Sequence, residues 1–247
     1  MTLALAKLAR ASTLLAELFP PSVVACELRE SADPMTLLPE EAGSCDAFRP
    51  KRLAEFAAGR LCARQALGEL GFTNFALIRN ADRTPRWPDR AVGSITHTVH
   101  FCGAVAALRN RFAGLGVDAE IVARVSADLW THVFTREEAA HFHRRAAADR
   151  ERIAAVAFSA KEAFYKCQFG VTGRWLDYCD VNVDIVPEGP DNGTFGIGPA
   201  TTAGRRTVGS VRARGRYRIE GGLVVTGIAL TGDDARAFPA PVPVLVR

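Results

Sequence analysis

No stretch of about 20 apolar residues runs through this chain, so nothing in it is long enough to span a bilayer as a helix. The 48% of hydrophobic residues are broken up throughout by charge. A strong charge of either sign is also lacking. The formal net charge of +4 and a pI near 8.9 favour an anionic ligand or an acidic partner. They do not mark a nucleic-acid reader, and no arginine-aromatic recognition signature accompanies them. Repeats and low-complexity tracts are missing. The six cysteines (26, 45, 62, 102, 167 and 179) include no Cys-x-x-Cys pair and form no dense framework, as expected of reduced thiols in a cytoplasmic protein. Nor is a secretory leader expected. Lys7 and Arg10 precede an apolar stretch and Val23-Val24-Ala25-Cys26 faintly imitates a cleavage site, but Glu17 and Pro20-Pro21 interrupt what should be continuous. Residues 3–18 read as an amphipathic helix instead.

What the chain does have is size and two acidic clusters. Its 247 residues can bury a substantial core, as one large domain or two smaller ones. In Gly116-Val117-Asp118-Ala119-Glu120 an apolar run ends in two carboxylates two residues apart, which strand geometry points to one face. In Phe158-Ser159-Ala160-Lys161-Glu162-Ala163-Phe164-Tyr165-Lys166, residues Ser159, Glu162 and Lys166 share one face of a helix. Three hard carboxylates beside a lysine suit Mg²⁺ holding a polyphosphate better than they suit zinc, which prefers nitrogen and sulfur. Each cluster also has a plainer explanation. Asp-x-Glu at a strand end is more often a solvated turn, and Glu162 with Lys166 fits an i, i+4 ion pair.

Elsewhere the pattern is mixed helix and strand. Phe48 to Leu70 carries apolar residues at helical spacing with Gly71 as a stop signal, and it puts Arg52 and Arg60 near one face, where solvated arginines are the ordinary outcome. A Thr84-Pro85-Arg86-Trp87-Pro88 loop leads into Val92 to Thr98 and a strand from Phe101 to Leu108, with His97 at a strand edge beside hydroxyls. Thr135 and Glu138 form a capping box that opens a helix. The histidine spacings match no zinc pattern. Pro187 to Gly198, rich in glycine and proline, reads as a loop. Val211 to Ile219 alternates and turns at Gly221-Gly222 into Leu223 to Leu230, which puts four arginines on one sheet face.

Taken in order, Ala58-Gly59-Arg60, Trp87-Pro88 with Gly93-Ser94-Ile95-Thr96-His97, Gly116 to Glu120, and Phe158 to Lys166 resemble the motifs of the 4′-phosphopantetheinyl transferases. The likeness runs from about Arg49 to Leu230. It is to the monomeric, two-lobed type, and within that to the branch serving siderophore synthetases. The resemblance implies transfer of phosphopantetheine from coenzyme A to a serine of an apo acyl or peptidyl carrier protein, with release of adenosine 3′,5′-bisphosphate. It implies Asp118, Glu120 and Glu162 as ligands of Mg²⁺ or Mn²⁺, Glu162 also as general base, and Lys166 on the phosphates and leaving group. Arg52, Arg60, Thr96 and His97 would hold coenzyme A. The family's basic residue before the proline falls on Thr84 here, so Arg83 is the candidate for that contact. Trp175 resembles a residue near the pantetheine arm, though core packing accounts for a tryptophan equally well, and Lys161 points elsewhere on its helix.

The implied fold is α+β, a pseudo-two-fold pair of similar lobes over residues 1–115 and 116–247, acting as a monomer with the site between them. The implied partner is the acidic, serine-bearing helix of a carrier protein, with neither nucleic acid nor membrane involved. Two other readings fit the same residues: a coenzyme A-binding protein without transferase activity, and a Mg²⁺-dependent phosphohydrolase.

Overall fold

The computed structural model describes residues 14–240 apart from Ser44 and Asp46. The chain is mixed α+β. Strand β1 (Val24–Leu28) and the short helix α1 (Pro39–Ala42) precede a long helix α2 (Pro50–Glu69) and strands β2 (Ala91–Thr98), β3 (Phe101–Leu108) and β4 (Gly114–Ile121). Helices α3 (Ala127–Val133), α4 (Arg136–His143) and α5 (Ala147–Thr172) follow, then β5 (Val181–Pro187), β6 (Asn192–Pro199), α6 (Thr202–Val208), β7 (Ala213–Glu220), β8 (Leu223–Leu230) and α7 (Gly232–Ala235).

Two antiparallel sheets organise these elements, one in the order β1-β3-β2 and the other β4-β8-β7-β6-β5. Each carries one long helix. Pro50, whose fixed φ suits a first helical turn, starts α2, and Gly71 with φ 90° stands just past its end. Helix α2 packs its small residues Ala58, Cys62, Ala63 and Ala66 with Leu67 against Cys26, Cys102, Ala104 and Ala106 of the first sheet. Helix α5 buries a similar small-residue face, including Ala154, Ala157, Ala160 and Ala163, and ends on Gly173 in the left-handed region at φ 64°. A third apolar cluster joins the sheets, bringing Val92, Phe101 and Val105 together with Val117, Ala119 and Val225. At the same junction the Val117 amide donates to Ser94 Oγ at 3.1 Å.

Two expectations change on meeting the structure. Asn192 to Gly198, within the stretch Pro187 to Gly198 read as a loop, belong to β6, with β5 on one side and β7 on the other. The two flanking ladders satisfy its backbone and outweigh the turn-forming composition of its glycines. The expected helix over residues 3–18 lies outside the described residues up to 13, and the remainder is a turn followed by a single 3₁₀ turn, Ala16–Leu18. The Thr135 and Glu138 capping box is present in full at the start of α4.

Candidate active site

Close approach of α5 to β4 builds the centre of the site. A Cβ on Gly116 would lie 1.9 Å from the carbonyl oxygen of Ala163, so only glycine lets the helix backbone sit this close to the strand. The contact sets Ser159, Glu162 and Lys166 beside Asp118. Asp118 is buried and held by three side chains: Lys166 Nζ donates to Oδ1 at 2.7 Å, Ser159 Oγ donates to Oδ2 at 2.9 Å, and Thr96 Oγ1 is 3.4 Å from Oδ1. The buried hydroxyl of Thr226 on β8 lies 2.9 Å from Ser159 Oγ and donates to the Ser159 carbonyl, also at 2.9 Å. Glu162 accepts a hydrogen bond from the Tyr178 hydroxyl, whose pKa is raised by burial and by that carboxylate.

Charges at this centre are unbalanced. Burial, then repulsion from Asp118 and Glu162, raises the Glu120 carboxyl to about 7, with Lys166 opposing. Burial acts to lower the Lys166 pKa, but Asp118, Glu162 and Glu120 outweigh it and hold the ammonium above its usual value. Three carboxylates therefore face one ammonium. Among the described residues no three His, Cys, Asp or Glu side chains are already drawn together as a closed metal cluster. The donor set nonetheless fits a hard divalent cation, because its oxygens are carboxylates whose mutual repulsion a 2+ ion would relieve.

The second part of the site is cationic. Gly93 on β2 has the Trp87 ring where a Cβ would be, 2.4 Å from its nearest atom, which explains why a glycine follows the Trp-Pro pair. Strand β2 then carries Thr96 to the Asp118 side and His97 toward α2. There Arg52 NH1 bonds to His97 Nε2, and Glu55 is 3.4 Å from Arg52 and 4.0 Å from His97. Burial, then the charge of Arg52, lowers the His97 pKa, while Lys166 and Asp118 act on it from the other side. Arg60, for which a solvated surface position was the plain alternative, is instead buried. Its guanidinium lies 4.0 Å from the Phe56 ring centroid and its Nε has no hydrogen-bond partner. Burial and the neighbouring Arg79 and Arg52 bring its pKa down to about 10, against the pull of Glu41, so it stays charged at neutral pH. Arg52 and Arg79 both lie over Phe48, at 5.8 and 5.4 Å.

Thus the structure gathers Asp118, Glu120, Glu162, Lys166 and Thr96 around one centre and bonds the neighbouring His97 to Arg52, whose charge in turn acts on Arg60. Arg83 is exposed and has φ 71°. Trp175 is 74% exposed, which removes core packing as its explanation, and it meets Tyr165 edge-on at 5.4 Å. Lys161 points away from the carboxylates into a buried pair with Glu138 at 2.7 Å. Sequence reasoning missed Arg79, Thr226 and Tyr178. Arg79 and Tyr178 stand outside every motif, and Thr226 lies inside an apolar strand, so only tertiary placement reveals them.

The chain is similar to known proteins. Residues 40–107 match the family model of the 4′-phosphopantetheinyl transferase N-terminal domain, and residues 114–219 match that of the 4′-phosphopantetheinyl transferase superfamily. The chain is 38% identical over 223 residues to 4′-phosphopantetheinyl transferase Svp of Streptomyces mobaraensis, a match covering 83% of each chain. It is 33% identical over 236 residues to 4′-phosphopantetheinyl transferase PptT of Mycobacterium tuberculosis, covering 88% of this chain and 98% of the relative. Among solved structures, holo-[acyl-carrier-protein] synthase of Thermotoga maritima is similar with a TM-score of 0.36 and 21% identity, over 49% of this chain and 64% of that one.

Proposed function

Because this chain belongs to the 4′-phosphopantetheinyl transferase superfamily, we propose that Asp118, Glu120, Glu162 and Lys166 carry its reaction and that Arg52, Arg60, Thr96 and His97 hold its nucleotide substrate. The enzyme moves the 4′-phosphopantetheine of coenzyme A to carrier proteins. The two other readings, a coenzyme A binder without transfer and a phosphohydrolase, have no support among the relatives.

The observation that carries the residue assignment is the line from the carboxylates through Thr96, bonded to Asp118, and the adjacent His97, bonded to Arg52, with the charge of Arg52 acting on Arg60 in turn. Such a line fits a ligand with a diphosphate at one end and a further phosphate at the other. Planar guanidinium forks suit those phosphate oxygens. The serine oxygen of the carrier attacks the phosphorus bearing pantetheine, and the bond from that phosphorus to the oxygen of adenosine 3′,5′-bisphosphate breaks. Glu162 takes the serine proton, and Lys166 donates to the oxygens that gain charge as the bond opens. The chemistry a bound divalent cation supplies here is neutralisation of the diphosphate, with Asp118, Glu120 and Glu162 as the groups that would hold it. Everything else is positioning by the chain.

Finer features belong to the same reading. Mg²⁺ is the metal, with Mn²⁺ as its substitute. The chain works as a monomer of two lobes, 1–115 and 116–247, supported by the tandem family matches and by the two helix-on-sheet units. The first two residues of β4 fall before that boundary. The Trp-Pro loop leading into Gly-Ser-x-Thr-His supports the siderophore-synthetase branch, and Arg83 stays the candidate for the basic contact near Pro85. The carrier presents its serine on an acidic helix, and the reaction takes place in the cytoplasm. Among the described residues no helix is long and apolar enough to cross a membrane. Incubation with coenzyme A, Mg²⁺ and a panel of apo carriers, followed by intact mass, should show one phosphopantetheine added and the addition stopped by EDTA. Transfer undiminished by Glu162→Gln in that assay would overturn the residue assignment.

A further inference from the structure

Glu162 does not stand alone: its Oε1 accepts from the Tyr178 hydroxyl, a group the reaction as described leaves unused. Tyr178 opens the 3₁₀ turn Tyr178–Asp180, which Asp177 caps by accepting from the Cys179 amide at 3.0 Å. Its ring packs against Phe158 with centroids 5.8 Å apart. Its carbonyl accepts from Lys161 Nζ at 2.8 Å.

That lysine is the anchor. Buried Lys161 also donates to the Val133 carbonyl at 2.9 Å and to Glu138 Oε2 at 2.7 Å, while Glu138 Oε1 accepts from the Val183 amide at 2.8 Å. A buried ion pair is tolerable only when its remaining hydrogen-bonding capacity is satisfied, and all three ammonium protons here have acceptors. The network therefore ties the backbone at Tyr178 to the end of α3, the start of α4 and the first strand after α5. The phenol is aimed at Glu162 by a rigid frame. Beside it a cavity of about 190 Å³, lined in part by Glu162, Tyr165, Trp175 and Tyr178, opens along the carboxylate.

We infer that Tyr178 is a positioning residue for Glu162: its hydroxyl fixes Oε1 and so sets the direction in which the remaining lone pairs meet the metal and the carrier serine. The inference rests on the reading of Glu162 as metal ligand and base. Carboxylate ligands are held by outer hydrogen bonds, and loss of such a bond weakens metal binding or activity by about 10- to 100-fold. Lys161, which has no place among the reacting groups, gains a role as the residue that holds Tyr178.

Tyr178→Phe keeps the ring and its contact with Phe158 and removes only the hydroxyl. Calorimetric binding of Mn²⁺ alone to the full chain should weaken by about 10-fold, with the melting temperature unchanged. Under turnover kcat should fall while KM for coenzyme A holds. Adding Tyr178→Phe to Glu162→Gln should weaken Mn²⁺ binding no further, because the hydroxyl acts through that carboxylate. If Glu162→Gln weakens Mn²⁺ binding and Tyr178→Phe does not, the positioning role is wrong and the ligand assignment stands. If Glu162→Gln leaves Mn²⁺ affinity untouched, the ligand assignment fails and the role of Tyr178 fails with it.

Discussion

At one end of the site Asp118 is completed from within the protein, by Lys166, Ser159 and Thr96, with Thr226 behind them. At the other end Arg52, Arg60 and Arg79 crowd like charges around two phenylalanine rings, and a buried Arg60 nitrogen has no partner. The first arrangement is a hydrogen-bonded network around Asp118 whose excess of carboxylates over the one ammonium a divalent cation would relieve. The second is held together by burial and ring contacts against its own repulsion, and an anion would relieve it. The contrast teaches that the two ends have separable duties: the carboxylate end is built to act, and the arginine end is built to receive.

The strongest way to break that division is to remove charge from the acting end. Glu162→Gln keeps the shape and abolishes the proton acceptor, so kcat in the carrier assay should drop by roughly 10² or more, with coenzyme A affinity retained. Activity within a few-fold of wild type at saturating Mg²⁺ would leave Glu162 as only the partner of Tyr178. Next in size is the receiving end. Arg60→Ala should weaken coenzyme A binding by about 10-fold or more, the value of one charged hydrogen bond, and calorimetry that finds equal affinities would assign Arg60 to packing on Phe56.

Smaller effects sharpen the contrast through pH. In the folded protein the Glu120 carboxyl titrates at about 7, above its ordinary 4.5, so the folded state binds more protons than the unfolded state between those values. Metal-free stability from this group is therefore greatest at low pH and is lost as pH rises toward 7. Glu120→Gln cannot titrate. Denaturant unfolding in EDTA should show its stability relative to wild type growing across that window and levelling above it, whereas a flat difference would mean that burial and the repulsion from Asp118 and Glu162 do not raise this carboxyl in the folded protein. The smallest expected signal comes from His97, which burial and Arg52 hold below the usual imidazole range. A coenzyme A phosphate beside it would raise that pKa, so binding at about pH 6.5 should take up protons, read as a buffer-dependent enthalpy. No uptake would place the phosphates out of reach of His97.

Much of the carboxylate end was legible because its geometry is local. Alternation along a strand puts Asp118 and Glu120 on one face, and helical spacing does the same for Ser159, Glu162 and Lys166. Gly116 hid its meaning, since its need for close approach by Ala163 exists only once α5 lies on β4. The arginine end was half legible. Helical spacing paired Arg52 with Arg60, but the burial of Arg60, its guanidinium over Phe56 with the charge of the loop residue Arg79 acting on it, is a tertiary outcome. Tyr178 and Lys161 were the least accessible, because a hydrogen bond between a turn and a helix 16 residues earlier leaves no periodic trace. The strand β6 was obscured for a different reason: its glycines speak for a turn locally, and its two neighbouring strands decide otherwise.

The division of labour is tested most directly by measuring coenzyme A affinity and single-turnover transfer to an apo carrier protein on the same samples of wild type, Glu162→Gln and Arg60→Ala. Glu162→Gln should bind coenzyme A as wild type does yet transfer poorly when saturated. Arg60→Ala should bind weakly and transfer at close to the wild-type rate once coenzyme A is raised to saturation. Loss of affinity and of saturated transfer together in both variants would contradict that division.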